Sequence, residues 1–321
     1  MTLLDVRDLT VEYHTEAGVF RAVENLSFQL EEGRSVGVVG ESGCGKTTAM
    51  LAVMRLLPEV GRIVRGEALF EGTDLFDLSP PEIRRYRWKS ISMIFQGAMN
   101  ALNPVRTVGS QIEEVLLWHD TVPRGEAKDE VGRLLDLVGV SASRGSQYPH
   151  QYSGGMRQRA MIAMALACQP KIVIADEPTT ALDVMVQAQI LDLLQDLQRE
   201  FNLAIIMVTH DLGVVAELCD DVLVLYGGRM AEYATTDTIY NHATHPYTRR
   251  LLHAFPDIDD PRAELASIPG HPPSLDNLPP GCRFEPRCRQ AGERCTREVP
   301  QPVEVEPGHL VSCFLATSDG V

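Results

Sequence analysis

The feature that most narrows the fold of this 321-residue chain is an octapeptide, Gly40-Glu41-Ser42-Gly43-Cys44-Gly45-Lys46-Thr47. It follows an apolar, β-branched run, Ser35 to Val39, and precedes a helix-patterned stretch, Thr48 to Leu57. It fits G-x-x-x-x-G-K-[ST] in the strand-loop-helix context that the pattern requires. With no side-chain bulk at Gly40, Gly43 and Gly45, successive backbone N–H groups can turn inward around phosphate oxygens, and the helix N-terminus adds partial positive charge. On this reading Lys46 reaches the β- and γ-phosphates of a nucleotide and Thr47 offers its hydroxyl to Mg2+. Ser42, Cys44 and Thr48 complete the contact set. A Gly-rich turn in an unrelated α/β fold is the alternative, and the flanking strand and helix argue against it.

Residues 1 to about 240 alternate short apolar runs with helical patterns, as α/β proteins do. Strands are expected at Ser35–Val39, Ile91–Phe95, Lys171–Ala175 and Leu203–Val208. Val184, Val186, Ile190, Leu191, Leu194 and Leu197 recur every three to four residues, which predicts a helix with one apolar stripe. From about 97 to 165 no convincing strand is found, so a mostly helical insertion is expected. The strand from Lys171 ends in two carboxylates, Asp176 and Glu177, and strand C-termini are where ligands bind in open α/β sheets. Asp176 would then support the Mg2+ shell and Glu177 polarise an attacking water. Adjacent acids at a strand end also serve as a solvated turn; the phosphate loop favours the catalytic reading.

Composition excludes several classes. With 44 acidic against 29 basic residues the net charge is −15, which argues against a surface that binds nucleic acid, since phosphate neutralisation needs a basic face. The longest uncharged apolar run, Ala160 to Cys168, falls far short of the ~20 residues that cross a bilayer. Asp5, Arg7 and Asp8 interrupt the N-terminal stretch where a signal peptide is unbroken and apolar. A cytoplasmic chain is expected, with its seven cysteines as thiols or metal ligands.

Tyr152-Ser-Gly-Gly-Met-Arg-Gln-Arg159 resembles the signature segment of ATP-binding cassette (ABC) ATPases, with Tyr152 and Met156 departing from the usual Leu and Gln. Gln96, Ala181-Leu182-Asp183 and His210 stand in the order of that family's Q-loop, D-loop and H-loop. The resemblance covers roughly residues 1–235. It implies an α/β fold, a P-loop NTPase core of the ABC type with a β-rich N-terminal part, a helical insertion and a small cysteine-bearing C-terminal extension. It also implies that Ser153, Gly154 and Gly155 of one cassette close over ATP held by another, with Asp183 organising that interface. Ser153 is equally an ordinary helix N-cap, and the two readings are compatible. By the same likeness His210 holds the γ-phosphate and water with Glu177, Gln96 brings an amide to Mg2+ or the water, and Tyr13 stacks on adenine.

Two further stretches point to one branch. Phe95 to Pro104 is similar to the segment after the Q-loop in dipeptide, oligopeptide and nickel permease ATPases, and His245 to Leu252 resembles the opening of their C-terminal extension. The likeness implies a peripheral motor at the cytoplasmic face of the cell membrane. Its partners would be a second cassette, two integral-membrane permease subunits and, indirectly, an extracytoplasmic solute-binding protein, with no nucleic acid. Other readings are a soluble cassette ATPase acting on nucleic acid, ribosomes or cluster assembly, or a metal- or redox-sensing regulatory cassette. The expected domains are the nucleotide-binding domain at 1–240, a Pro-rich linker or extension at 241–281, and a cysteine-rich segment at 282–321.

In that last segment Cys282, Cys288, Cys295 and Cys313 are spaced C-x5-C-x6-C-x17-C. So short a stretch buries little apolar area by itself, which suggests a cross-linking ion or cluster. The C-x2-C pair usual for zinc is absent. Arg283, Arg287, Arg289, Arg294 and Arg297 can offset thiolate charge. With the resemblance, a [4Fe–4S] cluster is favoured over structural zinc; four reduced, unliganded thiols are the remaining possibility. Cys44, Cys168 and Cys219 are expected to be core residues.

Overall fold

The computed structural model of the chain describes residues 1–97, 101–253 and 268–316. In chain order its elements begin with β1 (Thr2–Thr15), β2 (Gly18–Glu31), β3 (Ser35–Val39), α1 (Lys46–Val53), β4 (Gly61–Phe70) and β5 (Thr73–Asp74). Next come α2 (Pro80–Tyr86), β6 (Ile91–Ile94), α3 (Val108–Trp118), α4 (Ala127–Leu137), α5 (Gly154–Leu166), β7 (Ile172–Asp176), α6 (Val184–Phe201) and β8 (Ala204–Thr209). The others are α7 (Leu212–Leu218), β9 (Asp221–Tyr226), β10 (Arg229–Thr235), α8 (Thr236–His242), α9 (Pro246–His253), α10 (Glu293–Arg297), β11 (Val303–Glu306) and β12 (His309–Val311).

They form two compact units. One comprises Met1–Glu31, Ser35–Asp77 and Val208–Val321; the other comprises Glu32–Arg34 and Leu78–Met207. In the first unit β2-β1-β4-β5 is an antiparallel sheet whose strand β1 buries Leu3 to Val6 and Leu9 to Val11 in consecutive runs. A second run of strands has the order β11-β12-β10-β9-β3. Its β3 lies parallel to β9, Val36 opposite Asp221 and Val39 opposite Val224. All five β3 residues are buried, as expected of a strand covered on both faces.

Helix α1 ends at Val53 and does not run on to Leu57. Arg55 takes a left-handed φ of 50°, and Pro58 disfavours the helical conformation at Leu57. Within the 241–281 stretch, Pro246 opens α9, a position where the absent N–H would have no helical partner anyway. Residues 254–267, part of the expected 241–281 linker, lie outside the described residues, as do Ala98, Met99 and Asn100.

In the second unit the strand order is β8-β7-β6, with β6 parallel to β7 from Ile91 opposite Ile172 to Ile94 opposite Ala175. Between β6 and β7 the described residues form α3, α4, two 3-10 turns and α5, with no strand assigned. Thr107 caps α3 by accepting from the Ser110 N–H at 3.3 Å, and the helix buries Val108, Ile112 and Leu116. Helix α6 buries Ile190, Leu191, Leu194 and Leu197, each worth about 2 kcal/mol of transfer energy. The predicted stripe is shorter at its start: Val184 is 79% exposed, because it occupies the first turn, immediately after the capping Asp183. Among the described residues no helix is long and apolar enough to cross a membrane.

Candidate active site

The phosphate loop belongs to the first unit and is shaped by its glycines. Gly40, Gly43 and Gly45 have φ of 148°, 78° and 100°, conformations that side-chain-bearing residues rarely adopt. At Gly40 and Gly45 space forbids a substitution as well. A Cβ at Gly40 would stand 2.2 Å from the Leu225 carbonyl oxygen, and one at Gly45 would stand 2.5 Å from that of Ala22. Lys46 is 6% exposed, and its ammonium donates to the carbonyls of Gly40 (2.6 Å) and Glu41 (3.2 Å). The cation is therefore held inside the loop by neutral acceptors that an anionic ligand can replace. Ser42 and Gly43 face solvent, Cys44 is buried, and burial pushes its thiol pKa up against the pull of Lys46. Tyr13 on β1 is half-buried, and its hydroxyl pairs with Thr48 Oγ1 at 3.1 Å, which sets the ring beside the first turn of α1. His210, exposed, directly follows β8.

The second unit carries Gln96, Ser153, Gly154, Gly155, Asp176, Glu177 and Asp183. Asp176, 1% exposed, ends β7, and Glu177 then takes a left-handed φ of 46° that turns the chain at the strand end. Glu177 Oε2 accepts from Gln96 Nε2 at 2.6 Å and from Thr180 Oγ1 at 2.9 Å. Residues 81 positions apart in the chain thus meet on one carboxylate oxygen. Ser153 caps α5, its hydroxyl accepting from the Met156 N–H at 3.3 Å, and Asp183 caps α6 by accepting from the Val186 N–H at 3.0 Å. Gly155 packs against that second cap: a Cβ there would stand 2.6 Å from Val186 Cγ1.

Comparison with known proteins identifies the family of the chain. The sequence model described as "ABC transporter" matches residues 23–180, and that described as "Oligopeptide/dipeptide transporter, C-terminal region" matches 231–295. The oligopeptide transport ATP-binding protein OppD of Haemophilus influenzae is 50% identical over 316 residues, 98% of this chain and 97% of that protein. The chain belongs to the ABC ATPase family. The dipeptide transport ATP-binding protein DppD of Bacillus subtilis is 47% identical over 98% of this cassette and 94% of its own length. Among solved structures, the dimeric ATP-binding cassette MJ0796 in a post-hydrolysis state, bound to ADP and Pi, has a TM-score of 0.65 at 27% identity. That match covers 73% of this chain and 98% of the other.

The cassette's C-terminal segment lies in the first unit, where β12 pairs with β10 and Phe284 and Val311 are buried. Its four cysteines are free of disulfides and interact electrostatically; burial, then the neighbouring thiols, push Cys282 up to about 11. Yet among the described residues no three His, Cys, Asp or Glu side chains are arranged to hold a metal ion. Residues that sequence reasoning passed over surround the phosphate loop. The Glu41 N–H donates to the Tyr247 hydroxyl at 3.0 Å, and the Glu41 carboxylate takes both prongs of Arg287 at 2.6 and 3.0 Å. A lone acid inside an anion-binding loop was the available signal. Thr180, which steadies Glu177, had none.

Proposed function

We propose that this cassette is the ATP-hydrolysing motor of an importer for dipeptides or oligopeptides. The similarity to OppD and DppD proteins over nearly the whole chain supports that cargo class. Two cassettes bind two ATP, close, drive two integral-membrane permease subunits between inward and outward facings, then hydrolyse and reopen. An extracytoplasmic solute-binding protein delivers cargo, and the motor sits at the cytoplasmic face of the membrane through the permeases, without nucleic acid. Exposed Val184 and Met185, 79% and 72% accessible and directly after Asp183, suit an apolar contact with a second cassette.

In the reaction Lys46 releases its loop carbonyls and takes the β- and γ-phosphates, while Tyr13 stacks on adenine. Loop amides from Gly40, Ser42, Gly43, Cys44 and Gly45, with Thr48, cradle the phosphate oxygens. Thr47 and Asp176 would each offer an oxygen of the kind Mg2+ prefers, and the ion would neutralise charge developing on the phosphates. Glu177 accepts the proton of the attacking water, with Gln96 and His210 orienting it. Ser153, Gly154 and Gly155 cap the nucleotide held by the other cassette. The observation that carries this reading is the Glu177 carboxylate locked on one oxygen by Gln96 and Thr180.

For the four tail cysteines we propose a [4Fe–4S] cluster in place of zinc. Among the described residues these thiols form no group of three that could hold a metal ion, so support for the cluster comes from the four-cysteine spacing, which lacks the C-x2-C pair usual for zinc, and from the family resemblance.

The Glu177→Gln variant tests the motor. ATP binding should persist, steady-state hydrolysis should fall by roughly 10²-fold or more, and the chain should elute as a dimer in ATP. Unchanged hydrolysis refutes the assignment of the water-activating group.

A further inference from the structure

The phosphate loop contains an acid that works against its purpose. Glu41 follows Gly40 directly, and a free carboxylate there would repel a bound triphosphate. Its charge is met by a residue from the far end of the chain: Arg287, whose side chain is 5% exposed, grips both carboxylate oxygens in a two-pronged ion pair. The same guanidinium donates to the Pro269 carbonyl at 2.7 Å and to the Tyr226 hydroxyl at 3.2 Å, so its plane is fixed from several sides. Burial opposes its charge, but the bonds to Glu41 and Tyr226 outweigh that and hold it protonated above its ordinary range.

The backbone of Glu41 is held as well. Its N–H donates to Tyr247 of α9, and its carbonyl accepts from Lys46. A second arginine of the C-terminal segment, Arg283, donates to the Gly227 carbonyl and to Glu24. The adjoining Gly228 N–H donates to the Cys44 carbonyl of the loop at 2.9 Å.

We infer that Arg287 is a positioning residue for nucleotide binding: by neutralising and pinning Glu41 it keeps the phosphate loop open to anions. The inference rests on reading Gly40–Thr47 as the triphosphate site. Arg287 touches no substrate and acts only through Glu41.

The test is titration of the full-length protein and its variants with a fluorescent ATP analogue. Arg287→Ala should weaken binding about tenfold, equivalent to 1.4 kcal/mol. Adding Glu41→Gln to the same chain should recover most of that loss, because it removes the charge that Arg287 no longer meets. A brace that served only to hold the fold would leave the double variant as weak as the single one. Arg287→Lys, which keeps the charge, guards against loss of folding and should bind within about threefold of the native protein, about half of a tenfold step in free energy at most being lost. Native affinity in Arg287→Ala, or no recovery in the double variant, overturns the inference. Lys46→Ala separates the two levels: if it binds ATP as tightly as the native chain, the triphosphate reading itself fails.

Discussion

His245 gives the cassette an acid-sensitive joint whose size can be worked out. The ring is buried at the start of α9, where its Nδ1 accepts from the Tyr247 N–H at 3.0 Å and Phe284 lies 6.1 Å away. The nearby charges are already committed: Arg229 and Arg283 pair with Glu24, and Glu232 accepts from the backbone N–H groups of Thr244 and His245 and bonds His309. Burial therefore lowers the His245 pKa to about 4, although a hydrogen bond with the Ser312 backbone favours the proton. The unfolded chain has His near 6.5, so between pH 6.5 and 4 it binds more protons than the folded one, and stability falls as pH drops. The stabilisation is complete above pH 6.5. At pH 5 the linkage relation gives a loss of about 2 kcal/mol, and below pH 4 the loss levels off at about 3 kcal/mol. Urea unfolding of the native chain and of His245→Asn at pH 7.5 and 5.0 isolates this group, since other titrations cancel in the difference. The native chain should lose about 2 kcal/mol more than the variant over that interval, and the His245 ring resonance should not titrate above pH 5. Equal losses in both proteins, or an NMR midpoint near 6.5, refute the argument.

Two shorter expectations follow from the glycine at the signature helix and from the tail. Gly155→Val should push α5 away from the cap of α6 and lower ATPase activity more than tenfold while nucleotide affinity, set by the phosphate loop, changes little; equal affinity and turnover losses would show that the whole unit has rearranged. Anaerobic purification followed by iron, sulfide and zinc analysis should find about four irons and four sulfides per chain, as the proposed cluster requires, and one zinc without iron would remove the cluster.

How much of this was legible in the sequence depended on the distance over which each constraint acts. The phosphate loop is local: eight residues between a buried strand and a helix specify their own backbone, and β3 runs over the five residues that the apolar pattern marks. The strands at β6, β7 and β8 were found to within a residue or so because parallel strands buried on both faces leave continuous apolar runs. Helix ends were harder. The stop of α1 depends on a left-handed Arg55, and Val184 carries the apolar period of α6 while lying on an exposed first turn, so periodicity cannot distinguish core from surface there.

Side-chain partnerships divide in the same way. Order along the chain was enough to nominate Gln96 and Glu177 by likeness, but the 2.6 Å bond between them is a product of β6 and β7 lying in parallel register, which brings their C-terminal ends together. The Arg287–Glu41 pair, 246 residues apart, has no such scaffold in the pattern of the sequence. Its arginine sits among cysteines and reads as compensation for thiolate charge, and its acid sits in a loop read only for glycines and lysine. Each local reading was sound by itself and incomplete, because an acid in an anion-binding loop demands a cation that local sequence need not supply. A buried, two-pronged pair forms only when the folded C-terminal segment delivers that cation at the correct angle, so the integrity of this segment and the charge seen by the nucleotide are parts of one structure.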